Sequence, residues 1–374
     1  MPSNESTLTV VGAGLVGSLL SLYLARRGHT VEVLERRPDM RREALDAGRS
    51  INLAISTRGL HALRQVGLEQ EALKHAIPMR GRVIHPVQGE LAYQPYGKDD
   101  SQHINSLSRG WLNRFLMTQA EATGRVRIHF RQRVTHADAA AGTLTVQDEA
   151  TGETREVRDT VVFGTDGSGS AVRQAMQPQP DFQATQETLG HGYKELTIPP
   201  GPGGSFQMEK HALHIWPRGS FMLIALPNED GSFTCTLFLP WQGPVSFDSL
   251  KTPQALEDFF QERFPDAKAL IPGLVEEFFA RPTGHMVTVK CAPWRVGGRT
   301  LLLGDAAHAI VPFFGQGMNC GFEDCAVLDG LLESQTDWED TFSAFERRRK
   351  TNADAIADMA VENFIEMRDS TGDP

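Results

Sequence analysis

The stretch TLTVVGAGLVGSLLSLYLARRGHTVEVLERR, residues 7–37, constrains the fold of this chain more than any other part of it. Leu8, Val10 and Val11 have strand character, and Leu15 to Leu24 carry apolar residues around most of a helix. Gly28 ends that helix, and Val31, Val33 and Leu34 resume strand character. Between the first strand and the helix, Gly12, Gly14 and Gly17 complete G-x-G-x-x-G. The first glycine allows a tight turn, the second lets a pyrophosphate approach the backbone, and the third lets helix and strand pack closely. The helix start adds unpaired N–H groups and a positive dipole end. Glu35 closes the second strand, where a carboxylate can accept both hydroxyls of a ribose. A glycine-rich turn in an unrelated α/β protein would need none of these companions. The unit reads as a dinucleotide site, with NAD and FAD both open.

Bulk properties narrow the rest. The 374 residues, 40% hydrophobic and 22% charged, suffice for two domains with substantial cores. A net charge of -10 argues against a nucleic-acid partner, which would need clustered Lys and Arg. The short basic run Arg347-Arg348-Arg349-Lys350 has acids nearby and reads as a solvated helix face. Cys235, Cys291, Cys320 and Cys325 form no C-x-x-C pair and lack zinc spacing, so free thiols in a reducing cytoplasm, and no metal, are expected. Residues 7–25 are uncharged, but three glycines interrupt them and no Lys or Arg precedes them. We expect neither a signal peptide nor a membrane segment.

Two further strand ends choose between the dinucleotides. VRDTVVFGTDGSGSAVR (157–173) is a buried strand ending in Asp166-Gly167 and leading to Arg173. A third strand, Thr300 to Leu303, ends in Gly304-Asp305, and the glycine-rich FFGQGMNCGF behind it opens a helix from about Asn319 to Leu332. Asp305 therefore sits at the carboxyl end of a parallel strand, the edge where such sheets bind ligands, although an N-cap on Ala306 to His308 is its plain structural alternative. The three motifs together resemble the FAD-dependent aromatic hydroxylase family, the class A flavoprotein monooxygenases. The resemblance implies an α/β fold: a discontinuous Rossmann-like FAD-binding domain (1–73, 99–178 and 282–335), an inserted β-sheet substrate domain (74–98 and 179–281) and a C-terminal helical segment (336–374). It also implies tightly bound, non-covalent FAD contacted by Gly12, Gly14, Val16, Gly17, Glu35, Arg36, Arg37, Ala54, Arg109, Val134, Asp166, Ala171, Asp305, Gly317, Met318 and Asn319. In that family Asp305 reaches the ribityl chain, the loop Gly315 to Asn319 runs along the flavin ring, and His308 is scaffold without proton chemistry.

Residues 179–281 change character. Phe221 to Leu226 and Ser232 to Leu239 are strand-like and joined by the turn Asn228-Glu229-Asp230-Gly231. Phe233, Cys235, Leu237 and Leu239 should face one way, with Thr234, Thr236 and Phe238 facing the other. Thr252-Pro253 then starts a helix with Leu256, Phe259, Phe260 and Phe264 on one face. The strings GRSINLAIS (48–56), IPMRGRVIH (77–85), PYG (95–97), GHGYKEL (190–196), HIWPRG (214–219) and NFIEMR (363–368) resemble the branch of the family that hydroxylates L-kynurenine.

That resemblance implies that Arg82 and Tyr96, helped by Asn363, bind the substrate's carboxylate, and that Ile224, Leu226, Phe238, Pro312 and Phe313 receive its ring. It implies NADPH as a transient reductant, O2 as oxygen donor, and hydroxylation at the ring 3-position through a flavin C4a-hydroperoxide. No residue is assigned as catalytic acid or base, because an aniline ring is already electron-rich. A homodimer is compatible with it. Members of that branch continue past the position of Asp369, so a shortened C-terminus is also expected. A hydroxylase of another aromatic acid and a FAD-binding module without turnover are the alternative readings.

Overall fold

The computed structural model describes residues 7–43, 52–158, 160–335 and 337–369. Within it the first strand, Leu8–Val11, lies inside a six-stranded sheet. The order is Arg295–Val296, Thr300–Leu302, Val161–Gly164, Leu8–Val11, Val31–Leu34, Val126–His129. All neighbours run parallel except the short Arg295–Val296. Leu8–Val11, Val161–Gly164 and Thr300–Leu302 are buried at every position, as expected of a parallel sheet covered on both faces. Their register decides where ligands can go. Val11 pairs with Gly164 and with Leu34, and Gly164 pairs with Leu302, so the three motif-bearing strands end side by side at one sheet edge.

The helix Leu15–Arg26 is buried on nearly every face from Leu15 to Ala25. The uncharged stretch 7–25 is therefore a buried strand and a buried helix. Among the described residues no helix is long and apolar enough to cross a membrane. The third strand stops at Leu302, and the later helix begins at Gly317, two residues before its expected start. Of the string 48–56, residues 48–51 lie outside the described residues.

A seven-stranded sheet forms the second large layer, ordered Gly284–Ala292, Gln183–Ile198, Phe233–Pro240, Phe221–Pro227, Ala212–Arg218, Gly81–Ile84, Ala92–Pro95. Its neighbours are antiparallel except Gly81–Ile84, which runs parallel to Ala212–Arg218. The pleat separates its side chains as the alternation predicts. Phe233, Cys235, Leu237 and Leu239 enter one core with Leu256, Phe259, Phe260 and Phe264. Phe238, Met222 and Ile224 enter a second cluster on the other face, with Phe313, Val311 and Ala360. The helix starts at Pro253 as expected, with Thr252 accepting the N–H of Ala255 at 3.2 Å.

The long helix Trp338–Asp369 corrects one expectation. Arg347 and Arg348 are exposed, but Arg349 is buried. It shares a helical phase with Phe342, Phe345, Ala353, Ile356 and Ala360, all buried, so the helix period outweighs the local run of charge.

Candidate cofactor and substrate site

The glycine turn is crowded at two of its glycines and open at the third. Gly12 has φ +97°, and a Cβ there would lie 2.8 Å from the carbonyl oxygen of Thr165. A Cβ at Gly17 would lie 1.9 Å from the carbonyl oxygen of Gly12. Gly14 is different: nothing lies within 4 Å of its Cβ position, which leaves the turn open beside the uncapped start of the helix Leu15–Arg26. Glu35 Oε2 accepts the N–H of Ala13 at 2.8 Å, while Oε1 accepts from the Arg37 N–H at 2.9 Å and Arg37 Nε at 2.8 Å. Burial alone would raise the Glu35 pKa; the Arg37 guanidinium and these N–H donors outweigh it and hold the carboxyl below its usual range. Arg36 is exposed beside them.

The second motif looks inward. Asp166 accepts from Ser170 Oγ and from the N–H of Ala171 at 2.7 Å, capping the short helix Ala171–Ala175. Burial is the main influence on Asp166 and raises its pKa. Arg173, also buried, donates to the carbonyl oxygen of Ala306 at 2.9 Å and so ties the second motif to the third. Val134 is buried in the strand Gln132–Asp138.

At the third motif the Asp305 carboxylate is open to solvent inside a recess walled by protein. Desolvation raises its pKa, and the charges of Arg109 and His308 oppose that rise. A Cβ at Gly317 would lie 3.9 Å from Asp305 Oδ1, so the acid faces the start of the helix Gly317–Leu332. Val16 is packed against this turn: its Cγ2 would lie 3.0 Å from a Cβ at Gly304 and 2.5 Å from one at Gly321. Asn319 acts through its buried side chain as a clamp. Its Nδ2 donates to the carbonyl oxygens of Ala54 and Gly315, both at 2.9 Å, and its Oδ1 accepts the N–H of Ser56 at 3.0 Å. Met318 packs against the core beside it.

Behind the turn lies a buried polar hub that the sequence reading missed. Asp324 accepts from the N–H of Gly304 at 2.9 Å, from His308 Nε2 at 2.6 Å and from Arg349 Nε at 2.7 Å. Arg349 also reaches Glu323 at 2.6 Å. Burial favours neutral His308, but the Asp324 carboxylate outweighs it and raises the imidazole's pKa well above the ordinary value. His308, Cys320 and Asp324 bring metal-ligand atoms within 4.8 Å of one another, yet Arg349 and His308 already supply cations to that cluster. The helical phase of Arg349 was the one available signal.

On the seven-stranded sheet, strand register brings four of the residues expected to bind substrate, Arg82, Ile224, Leu226 and Phe238, onto one face. Met222 pairs with Phe238, Ile224 with Thr236, and Leu226 with Thr234. Ile215 pairs with both Ile224 and Ile84, and Leu213 pairs with Arg82. Cross-strand partners point the same way, so Arg82 shares a face with Ile224, Leu226 and Phe238. Among the described residues no carboxylate or carbonyl engages the Arg82 guanidinium. Tyr96, 37% exposed, is close enough to feel its charge, and partial desolvation still pushes the phenol up to about 12. Phe313, next to Pro312, stacks on Phe364 with centroids 4.1 Å apart and meets Phe238 at 4.8 Å. Asn363 Nδ2 donates to the carbonyl oxygen of Phe313 at 3.0 Å, which connects the long C-terminal helix to this wall.

Comparison with known proteins agrees with this geometry. The FAD binding domain family matches residues 5–360. The chain is 79% identical over 372 residues to a kynurenine 3-monooxygenase from Myxococcus xanthus (strain DK1622), covering 100% of this chain and 80% of that protein. The chain belongs to the kynurenine 3-monooxygenase family. A second kynurenine 3-monooxygenase, from Cytophaga hutchinsonii, is 50% identical over 375 residues, covering 99% of this chain and 82% of that protein. Among solved structures, the tetrameric form of 2-methyl-3-hydroxypyridine-5-carboxylic acid oxygenase has a TM-score of 0.79 at 22% identity, covering 99% of this chain and 94% of that one. PqsL from Pseudomonas aeruginosa in complex with 2-aminobenzoylacetate has a TM-score of 0.74 at 19% identity, covering 97% of each chain. These two likenesses are of fold, and they extend the α/β flavoprotein architecture of the kynurenine 3-monooxygenase family along nearly the whole chain.

Proposed function

We propose that this chain hydroxylates L-kynurenine at the ring 3-position, using FAD, NADPH and O2. The observation that carries the reading is the shared face of the seven-stranded sheet. One row of strand positions presents an apolar surface, Ile224, Leu226 and Phe238, and ends in the guanidinium of Arg82. A planar guanidinium fork binds both oxygens of a carboxylate at once, and an aromatic ring lies well on the apolar row beside it.

The residues present fit FAD. The open position at Gly14, the close approaches at Gly12 and Gly17, and the anchored carboxylate of Glu35 form a cradle that any Cβ at the turn would alter. Gly12, Gly14 and Gly17 with the helix start would hold the pyrophosphate, Glu35 and Arg37 the ribose side. Val16, Ala54, Arg109, Asp305 and the start of the helix at Gly317, Met318 and Asn319 would hold the remainder. When bound, FAD supplies the redox and oxygen-transfer chemistry, with NADPH as reductant. The chain's own part is to bind, orient and dry. Arg82 and Tyr96 fix the amino-acid end, Pro312 and Phe313 wall the ring, and Asn363 steadies that wall through the Phe313 carbonyl. The ring needs no side-chain base, since the amino group already enriches it.

The same reading assigns 1–73, 99–178 and 282–335 to the flavin domain, 74–98 and 179–281 to the substrate domain, and 336–374 to a helical segment. The separate six- and seven-stranded sheets support that division. Four buried cysteines without a disulfide support a reducing, cytoplasmic setting. Assembly as a homodimer belongs to the same proposal and is measured by mass in solution. The deciding experiment follows NADPH oxidation and 3-hydroxykynurenine formation by the yellow protein with L-kynurenine. Rapid turnover of a phenolic benzoate or anthranilate, with none of L-kynurenine, would overturn the substrate assignment.

A further inference from the structure

Two of the strings that carried the family resemblance, IPMRGRVIH and HIWPRG, meet on the side of the seven-stranded sheet away from the substrate face. Their histidines touch. His85 Nε2 lies 2.9 Å from His214 Nδ1, and His85 Nδ1 lies 2.7 Å from Asp266 Oδ2. The same carboxylate oxygen accepts from Trp216 Nε1 at 2.8 Å, and the His85 ring stacks on Trp216 with centroids 4.0 Å apart. At the far end His214 Nε2 lies 2.8 Å from the carbonyl oxygen of Glu209. Both histidines and Trp216 are buried, and no cofactor or substrate role assigned above uses them.

Hydrogen-bond accounting fixes the protons of this chain. A carbonyl oxygen only accepts, so His214 Nε2 donates to Glu209. An ionised Asp266 only accepts, so His85 Nδ1 donates to it. The remaining contact, between His85 Nε2 and His214 Nδ1, then needs one more proton. Two neutral rings would bring two lone pairs together at 2.9 Å. The pair of imidazoles therefore holds one positive charge. His85 is the ring whose other nitrogen faces the Asp266 carboxylate, so the charge belongs beside that acid. The other charged groups around the pair are Arg218, whose Nη1 donates to the His85 carbonyl at 2.9 Å, Arg263, whose carbonyl accepts from Arg218, and Glu209, whose carboxylate accepts the His211 N–H.

His85 directly follows the strand Gly81–Ile84, on the pleat face opposite Arg82. The strand's parallel partner is Ala212–Arg218, and its other neighbour is the exposed edge strand Ala92–Pro95. Asp266 belongs to the helix Pro265–Leu270, in the layer that packs behind the sheet. We propose that Asp266, His85 and His214 form a proton-bearing latch that fixes the strand carrying Arg82 from behind and so sets the affinity for the substrate's carboxylate. This rests on the reading of Arg82 given under Proposed function. His85 is a positioning residue: it acts through Arg82. Without the His85–His214 bond the strand is held less firmly, so carboxylate affinity weakens while the chemical step is spared.

The test uses the FAD-loaded protein and two ligands, L-kynurenine and its decarboxylated amine, titrated calorimetrically at neutral pH. The parent should bind L-kynurenine more tightly than the amine. His85→Phe keeps a ring on Trp216 and removes both polar bonds. It should weaken L-kynurenine binding about tenfold and leave the amine's affinity unchanged, as expected for loss of a charge-assisted bond. Asp266→Asn should give a smaller change of the same kind. In turnover the effect should fall on KM, with kcat held within about twofold, a difference of well under 1 kcal/mol. Parent-like affinity for L-kynurenine in both variants would overturn the latch alone. Equal weakening for both ligands, with loss of flavin, would also overturn it, since that marks a general folding role. If the parent itself fails to bind L-kynurenine, the latch falls together with the Arg82 assignment.

Discussion

Glu35 Oε2 accepts the main-chain N–H of Ala13, in the middle of the glycine turn, at 2.8 Å. The acid that terminates the second strand thus holds the shape of the turn that follows the first, and its other oxygen is held by Arg37. Glu35→Gln keeps an acceptor for Ala13 but removes the charge that orders Arg37. FAD should be held about ten- to a hundredfold more weakly, from the loss of charge-assisted bonds. The check is flavin absorbance per protein after dialysis, alongside an unchanged far-ultraviolet dichroism spectrum.

Gly14 and Gly17 of the turn should behave differently. Gly14→Ala meets nothing within 4 Å, so the protein should fold with a Tm within a few degrees of the parent and fail to retain flavin. Gly17→Ala puts a methyl 1.9 Å from the Gly12 carbonyl oxygen and should cost about 3 kcal/mol of stability or more. Thermal melts and flavin content measured on both variants distinguish cradle from packing. Equal loss of Tm in both would contradict the assignment.

Arg82→Ala should raise KM for L-kynurenine at least about thirtyfold, within the 2–5 kcal/mol expected when one member of a buried charge pair is removed. The flavin spectrum should remain that of the parent, because Arg82 lies on the sheet that bears no glycine motif. Arg82→Lys should recover only part of the affinity, since an ammonium cannot bind two oxygens as a planar fork does. Unchanged affinity in the alanine variant would remove the anchor.

The Asp324 hub should set a stability plateau. The carboxyl of Asp324 is depressed in the folded state, so its contribution is present above the ordinary 3.8 and is lost as pH falls through the depressed value. The imidazole of His308 is raised in the folded state, so its contribution is complete below the ordinary 6.5 and is lost as pH rises through a value well above that. Both contributions hold between 3.8 and 6.5. Asp324→Asn should flatten this profile and destabilise by about 3–5 kcal/mol, the typical result of stranding a buried cation. Denaturant midpoints at several pH values provide the measurement.

Much of this architecture could be read without coordinates because its signals are local. The strand–turn–helix of residues 7–37, the alternation in Phe233–Pro240 and the capped helix at Pro253 each depend on a few successive residues, and all three form as expected. Arg349 shows the limit of that approach. Its neighbours in sequence suggested a solvated charge run, while its neighbours one helical turn away, Phe345 and Ala353, are core. Asn319 is similar: its position beside glycines was legible, but its clamp on Ala54 and Ser56 joins segments more than 260 residues apart.

The sequence by itself determined that three strands end in turns bearing glycine or aspartate, the first of them a G-x-G-x-x-G turn, and that one β segment has two differently covered faces. Those properties follow from residue size, backbone freedom and the period of two along a strand. Only the tertiary structure decided that Val11, Gly164 and Leu302 end level at one sheet edge, and that Arg82 faces the same way as Ile224 and Phe238. It also decided that His85 and His214 lie within hydrogen-bond distance of each other behind Arg82. The physical reason is the same in each case. Strand register and hydrogen-bond partners are fixed by long-range pairing, and the energy of that pairing belongs to both segments at once.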